Sequence, residues 1–458
     1  MGYEAIALLM FSSMMLMLLT GQRVFAAIGS VATIAALALW GQGGFELPFS
    51  AAMKVMKWYP LLTLPFFIYM GYILYMGYIL YMGYILYMGY ILSETRIAED
   101  LYRAFHVWFG PLNGGLAIGT IILVVVISAM NGLSVAGMAI GATIALPELL
   151  RRGYDKIMVT GVIQAGSSLG ILVPPSVVLV LYGMIARQPV RQLWLAGVFP
   201  GLLMATLFII YIVVRCRLQP HLGPALPLAE RDMPLGARLA LLWAGILPFL
   251  IFFSMTGLFL LGYTSLVESS AVGALAATLA ALAKRRLTVQ VMEATLRKTL
   301  GVTCMFMWII LAALCFGAVF DGLGAVKAIK GFFVGQLGLG PWELLILMQL
   351  SYLIMGTFLD DTAMLVIVAP LYVPLVRTLG FDLVWYGVLY TITCQVAYMT
   401  PPFGYNLFLM RAMAPPEVTL GDIYRSIFPF VAVMIIGLII MLIFPQIALW
   451  LPYYVSGR

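Results

Sequence analysis

Asp360 and Asp361 are adjacent acids set between the apolar runs 341–357 and 361–377. An acid inside a bilayer is costly, which makes such a pair a candidate for binding a cation or a substrate. The plainer reading is a cap for a helix that begins near Thr362. Both can hold, because a capping acid at a hairpin tip can also face a cation. A second polar joint, Asn131-Gly132-Leu133 with Ser134 behind it, separates the runs 114–130 and 134–150. Two Pro-Pro pairs, Pro174-Pro175 and Pro401-Pro402, interrupt further apolar stretches at Gly166–Ser176 and Thr400–Asn406. Proline lacks the backbone donor and clashes with the preceding turn, so each pair breaks a helix and frees carbonyls. Freed carbonyls and half-helix C-termini suit Na⁺, whereas half-helix N-termini suit a carboxylate.

The residues expected to bind sodium or substrate are therefore Asn131, Ser134, Gly166, Ser167, Ser168, Gly170, Pro174, Pro175, Gly356, Asp360, Asp361, Thr362, Thr400, Pro401, Pro402, Gly404 and Asn406. Na⁺ is assigned to Ser134, Asp360, Thr362, Thr400 and backbone carbonyls. Each has a structural alternative. Asn131 and Ser134 would cap a helix, and Ser167, Ser168, Thr400 and Asn406 would bond back to freed carbonyls. Glu268, alone in Ser265–Ala271, reads more readily as a cap or an ion-pair partner than as a ligand.

Other chemistries are excluded by scarcity. The chain has two histidines, His106 and His221, too few for a His-based metal site or catalytic triad. No phosphate-cradling GxxxxGK[ST] loop occurs, so ATP hydrolysis is not expected. The four cysteines form no CxxC pair and read as small apolar filler. No covalent cofactor is expected. Only 9% of the 458 residues are charged and 64% are hydrophobic, against about 25% charged in a soluble domain. Soluble enzymes and nucleic-acid binders are therefore excluded, and the partner is the lipid bilayer. Lys and Arg fall mainly on one side of the predicted topology, as the positive-inside rule requires. Met1-Gly-Tyr-Glu4 precedes the first apolar run and Arg23 follows it. That order predicts an uncleaved N-terminus outside and Arg23 in the cytoplasm.

The elements that must position these residues are all helical: an all-α polytopic membrane protein. The runs 114–130 with 134–150, and 341–357 with 361–377, are each joined by only a few residues. They read as two re-entrant helical hairpins. At a shift of 227 residues, Ala136 falls on Ala363, Pro147 on Pro374, Gly153 on Gly380, Tyr154 on Phe381, Asp155 on Asp382, and Pro174-Pro175 on Pro401-Pro402. Between Asp155 and Asp382 lie five predicted crossings: 156–186, 192–214, 239–262, 265–283 and 299–320. Five is odd, so the second copy is upside down: an inverted-topology repeat, whose sites lie near the midplane where broken helices meet.

A second repeat, Tyr-Met-Gly-Tyr-Ile-Leu, occurs four times in tandem from Tyr69 to Leu92. It stretches the run 58–92 to about 52 Å, against a hydrocarbon core of about 30 Å. The extra copies read as an expansion. They predict a helix that projects beyond the membrane or breaks at Gly71, Gly77, Gly83 or Gly89. Most of the aromatic content reads as interface belts and packing.

The chain resembles the large membrane subunit of tripartite ATP-independent periplasmic (TRAP) transporters, the DctM-like family. The resemblance rests on Met70-Gly71-Tyr72-Ile73-Leu74, Trp108-Phe-Gly-Pro-Leu-Asn-Gly-Gly115, Ala145-Leu-Pro-Glu-Leu-Leu-Arg-Arg-Gly-Tyr-Asp155, Gly170-Ile-Leu-Val-Pro-Pro-Ser176, Ala196-Gly-Val-Phe-Pro-Gly201, Glu268-Ser-Ser-Ala-Val-Gly273, Gly356-Thr-Phe-Leu-Asp360 and Thr400-Pro-Pro-Phe-Gly404. It departs at the first tip, Asn131-Gly-Leu-Ser-Val-Ala136, where the family is richer in Ser and Gly, and in the hexapeptide expansion. It implies an elevator-type architecture of the ion-transporter superfamily and Na⁺-coupled uptake of an organic acid across the bacterial inner membrane. The implied partners are a periplasmic solute-binding protein and a separate small four-helix membrane subunit.

The expected division is scaffold helices at 1–92, an arm at 93–113 and a first transport-domain repeat at 114–191. Further scaffold helices follow at 192–320, with a cytoplasmic linker at 215–238. A second arm at 321–340, a second repeat at 341–414 and a C-terminal helix at 415–458 complete it. The alternative function is a two-component sodium-coupled carboxylate transporter of the same superfamily without a binding protein. A membrane-embedded enzyme would need a catalytic His or acids paired across a cleft.

Overall fold

The computed structural model describes residues 3–20, 22–40, 44, 46, 49–50, 87–88, 91, 108–109, 112–225, 235–325, 328, 331, 338–357, 359, 361–401 and 404–456. Every regular element among the described residues is helical. Two helices, α1 (Tyr3–Leu19) and α2 (Val24–Leu39), open the chain. The first set around the candidate site is α3 (Gly115–Asn131), α4 (Ser134–Ile140), α5 (Leu146–Arg151), α6 (Lys156–Ser168) and α7 (Val177–Ala186). Long helices α8 (Val190–Leu218), α9 (Leu235–Leu261), α10 (Leu266–Ala283) and α11 (Val289–Gly322) follow. The second set is α12 (Pro341–Gly356), α13 (Asp361–Thr378), α14 (Leu383–Tyr398) and α15 (Tyr405–Met413), and α16 (Leu420–Ile443) and α17 (Gln446–Ser456) end the chain. Among the described residues, four helical segments are long and apolar enough to cross a membrane: Ser134–Arg151, Val190–Leu218, Val289–Gly322 and Leu420–Ile443.

Helix ends are written in local chemistry. Gly153 and Gly380 both sit at left-handed φ, +78° and +82°, where a side chain would be strained. Each ends its helix with the same pair of bonds. Gly153 N–H donates to the Leu150 carbonyl and Tyr154 N–H to Leu149; Gly380 N–H donates to Arg377 and Phe381 N–H to Val376. The aspartate that follows caps the next helix. The Asp155 carboxylate accepts from Met158 N–H at 2.9 Å, and Asp382 accepts from Val384 and Trp385 N–H at 2.7 and 3.0 Å. Gly-aromatic-Asp is thus a stop-and-restart signal used twice. Ser265 and Glu268 form a reciprocal capping box, so Glu268 is engaged as a cap.

Small residues let the core helices approach closely, the main source of attraction where lipid removes any hydrophobic drive. A Cβ on Gly170 would lie 2.2 Å from Ser128 Cβ, and one on Gly356 would lie 2.5 Å from Ala397 Cβ. Gly170→Ala is therefore overpacked and costs about 1–3 kcal/mol. Gly29→Ala, whose new methyl would meet Ala312 Cβ at an ordinary 3.7 Å, is neutral or slightly stabilising. Melting temperatures of the two detergent-purified variants check this; equal values would refute the packing argument.

Several expectations need correction. The run 134–150 is not one regular α-helix: Gly141–Ala145 is a π-helical turn. Pro147 has no N–H for the residue-143 carbonyl and its ring crowds that turn, so the backbone widens ahead of it. The C-terminal region is two helices, because Pro445 cannot extend the helix that ends at Ile443. The expected linker 215–238 is shorter, since α8 runs to Leu218 and α9 starts at Leu235. Most of the tandem hexapeptide, most of the first arm (93–113) and half of the second (321–340) lie outside the described residues. Of the fourth hexapeptide copy, Met88 and Ile91 are fully buried, and the Tyr87 hydroxyl pairs with Thr278 Oγ1 at 3.1 Å.

Candidate functional site

The two expected interruptions are real breaks. Helix α6 stops at Ser168, a 3₁₀ turn covers Leu169–Ile171, and regular α-helix resumes only at Val177. Pro174 and Pro175 are buried in that gap. Ser176 restarts the chain: its Oγ accepts from Leu179 N–H at 3.1 Å and donates to the Ile171 carbonyl. In the second set, α14 stops at Tyr398 and α15 starts at Tyr405, with Gly404 at φ +33°. Pro402 lies outside the described residues, and Pro401 is part-exposed in the gap.

The first tip packs onto the first break. Gly132 ends α3 in the left-handed region, and its carbonyl accepts from Val177 N–H at 3.2 Å. Ser134 is buried and is the first residue of α4, while Leu133 holds the cap position with no side-chain cap bond. Capping therefore does not account for Ser134. Asn131 is the last residue of α3, but its side chain lies outside the described residues.

The second tip is more elaborate. Asp360 lies outside the described residues, so the structure presents one acid of the expected pair. Asp361 is only 6% exposed. Its Oδ1 accepts from Thr362 N–H at 2.7 Å and Thr362 Oγ1 at 3.1 Å. Its backbone N–H donates to the Tyr398 hydroxyl at 2.8 Å, and its carbonyl accepts from the Tyr390 hydroxyl at 2.6 Å. An ionised carboxylate offers roughly four lone-pair directions, so this acid can cap locally and still face a cation. Gly356 is consumed by the close crossing with Ala397.

The hydroxyls beside the breaks are bonded back to their own helices: Ser167 to Gln164 O (2.9 Å), Ser168 to Ala165 O (2.8 Å) and Thr400 to Val396 O (2.6 Å). The structural alternative holds for all three, although a donating hydroxyl keeps acceptor lone pairs. A Cβ added at Gly166 would meet Val124 and Ile121 of α3 at ordinary contact distance, so the glycine is not required there by close packing. Asn406 differs. It is fully buried, and neither its Oδ1 nor its Nδ2 has a hydrogen-bond partner among the described residues. Such a group calls for an explanation, and a ligand is one.

Two kinds of residue, buried glutamines and buried tyrosines, escaped the sequence reading. Gln395 Nε2 donates to the Ser168 carbonyl at 3.1 Å, tying the end of α14 to the end of α6. Gln164 Nε2 donates to Ser426 Oγ at 3.1 Å. Tyr182, Tyr352, Tyr386, Tyr390 and Tyr398 are among the largest fully buried side chains; they belong to interior packing and not to an interface belt. The available signal was the run of tyrosines at 386, 390 and 398 in one apolar helix, but its partners lie on other helices.

With this arrangement established, the chain can be set against known proteins. The family model for the "Tripartite ATP-independent periplasmic transporter, DctM component" matches residues 78–447. The C4-dicarboxylate TRAP transporter large permease protein DctM of Pseudomonas aeruginosa is 29% identical over 400 residues, covering 87% of each chain. The sialic acid TRAP transporter permease protein SiaT of Haemophilus influenzae is 24% identical over 396 residues, covering 86% of this chain and 60% of that one. The crystal structure of the YdaH transporter of Alcanivorax borkumensis aligns over 98% of this chain and 99% of its own at a TM-score of 0.65 and 16% identity, a likeness of fold. The chain belongs to the DctM component family of tripartite ATP-independent periplasmic transporters, whose members are membrane permease subunits and not enzymes.

Proposed function

We propose that this chain is the large membrane subunit of a Na⁺-coupled, binding-protein-dependent importer of a carboxylate-bearing organic acid in the bacterial inner membrane. It works by elevator motion of the two repeats, 114–191 and 341–414, against scaffold helices in 1–92, 192–320 and 415–458. The observation that carries the reading is the bond between the Gln395 amide and the Ser168 carbonyl. The two positions are 227 apart, the offset of the sequence repeat itself. Repeat mates in contact are what a local two-fold axis between two halves would give.

Helix boundaries support the same offset. The starts of α4 and α13 (134 and 361) and of α6 and α14 (156 and 383) coincide under it; those of α3 and α12, and of α7 and α15, differ by one residue. The packing is crossed, with α7 against α13 and α15 against α4. Broken helices from both halves thereby share one region, the arrangement in which secondary transporters hold substrate and coupling ion. Re-entrant courses for both hairpins are part of the proposal. Ser134–Arg151 is long enough to span by itself, so this part rests on the short joint at 132–133 and its tie to Val177. Buried Thr362 and Ser134, with Thr400, freed carbonyls and buried Asp361 beside the expected Asp360, would supply oxygens to Na⁺, and Asn406 would meet the substrate. The relatives named for C4-dicarboxylates and sialic acid favour a carboxylate.

The test is uptake in proteoliposomes holding this chain and its small four-helix subunit, with the cognate binding protein and an acid found by screening that protein. Uptake is expected to follow an inward Na⁺ gradient, to require the binding protein and to be indifferent to ATP. Full-rate uptake with K⁺ in place of Na⁺ would refute the coupling. Full-rate uptake without the binding protein would favour the two-component alternative.

A further inference from the structure

We propose that Tyr390 and Tyr398 are positioning residues that hold the Asp361–Thr362 tip in its cation-facing form, so that their hydroxyls set the cation affinity of the second half. The proposal rests on the Na⁺-coupled reading above. Residue 361 opens α13, and the first N–H groups of a helix have no partner within it. Asp361 N–H finds one in the Tyr398 hydroxyl, at 2.8 Å. That oxygen accepts through a lone pair. Eight residues earlier on α14, about two turns away, the Tyr390 hydroxyl donates to the Asp361 carbonyl at 2.6 Å. One residue is thus held at its N–H and its carbonyl by two side chains of one helix. Both rings are fully buried, so water does not compete for these bonds and their geometry is fixed before an ion arrives.

The other half shows what packing alone requires. At the 227-residue offset Asp361 becomes Ser134, Tyr390 becomes Ile163 and Tyr398 becomes Ile171. Where the tip carries no charge, the two positions carry no hydroxyl, and isoleucine fills them fully buried. The acid and its two hydroxyls occur together and are missing together. Tyr386 supplies the internal control. It is buried on the same helix, and its hydroxyl pairs with that of Tyr352 at 2.9 Å instead of reaching the tip.

The experiment is a melting curve of the purified full chain, with NaCl titrated against KCl at constant total salt, for wild type and Tyr398→Phe, Tyr390→Phe and Tyr386→Phe. Loss of the neutral bond from the Asp361 N–H predicts that Tyr398→Phe raises the NaCl needed for half-maximal stabilisation by about threefold. The neutral bond lost in Tyr390→Phe predicts a rise of about threefold. Tyr386→Phe lowers the baseline melting temperature but leaves the NaCl midpoint where it was. If Tyr398→Phe and Tyr390→Phe melt lower with the wild-type midpoint, the tyrosines are only packing and the proposal is overturned. If Tyr398→Phe does not fold, the Tyr390→Phe midpoint decides alone. A wild-type chain that does not distinguish Na⁺ from K⁺ overturns the coupled reading and this proposal with it.

Discussion

In the reconstituted transporter, Asp361→Asn is expected to raise the Na⁺ concentration for half-maximal uptake by about a thousandfold, with the protein still folded. Two unit charges about 4 Å apart interact by about 4 kcal/mol at an effective dielectric near 20, and about 1.4 kcal/mol is a factor of ten in affinity. The substitution isolates the charge. Asparagine caps helices as well as aspartate does, and its side-chain oxygen can still accept from Thr362 N–H, the 2.7 Å bond that Asp361 Oδ1 makes now. The backbone bonds to Tyr390 and Tyr398 do not involve the side chain. Uptake titrated with NaCl, beside a melting curve of the same preparation, checks it. A normal melt with an unchanged Na⁺ midpoint would show that Asp361 only caps α13.

How far the sequence discloses this site follows from how local each feature is. The breaks are local. Proline deletes a donor wherever it stands, so the gaps at 169–176 and 399–404 are readable from Pro174-Pro175 and Pro401-Pro402 themselves. The restarts at Asp155 and Asp382 are equally local, since the cap and the left-handed glycine before it lie within a few residues. The offset of 227 is legible because those local signals recur in the same order. The contacts that finish the site are not local. Tyr398 meets the Asp361 backbone across 37 residues and Gln395 meets Ser168 across 227. In sequence both are polar or aromatic residues in an apolar helix, with nothing nearby to name a partner. The π turn before Pro147 shows the same limit from the other side. Pro147 and Pro374 match in sequence, yet the first follows a widened turn and the second lies within the regular helix α13.

Asn406→Leu is expected to stabilise the isolated chain and to abolish uptake, a combination that a structural asparagine cannot produce. Asn406 is fully buried, and neither of its polar atoms has a partner among the described residues. Leaving a buried polar group unsatisfied costs about 1–3 kcal/mol, and an apolar group of similar shape removes that cost. Leucine also suits the second position of α15, where helix propensity favours it over asparagine by a few tenths of a kcal/mol, roughly. The melting temperature of the variant in detergent should therefore rise. Uptake should fall to background, because a carboxamide kept unsatisfied in the empty protein is available to a ligand that brings the missing donors and acceptors. Asn406→Asp separates shape from charge: it keeps an acceptor but sets an anion where an anionic substrate would sit, so uptake should fail while Na⁺-dependent stabilisation persists. If Asn406→Leu melts lower and transports at a proportionally lower rate, the carboxamide is structural, and the meeting of the two breaks must bind its substrate through backbone groups instead.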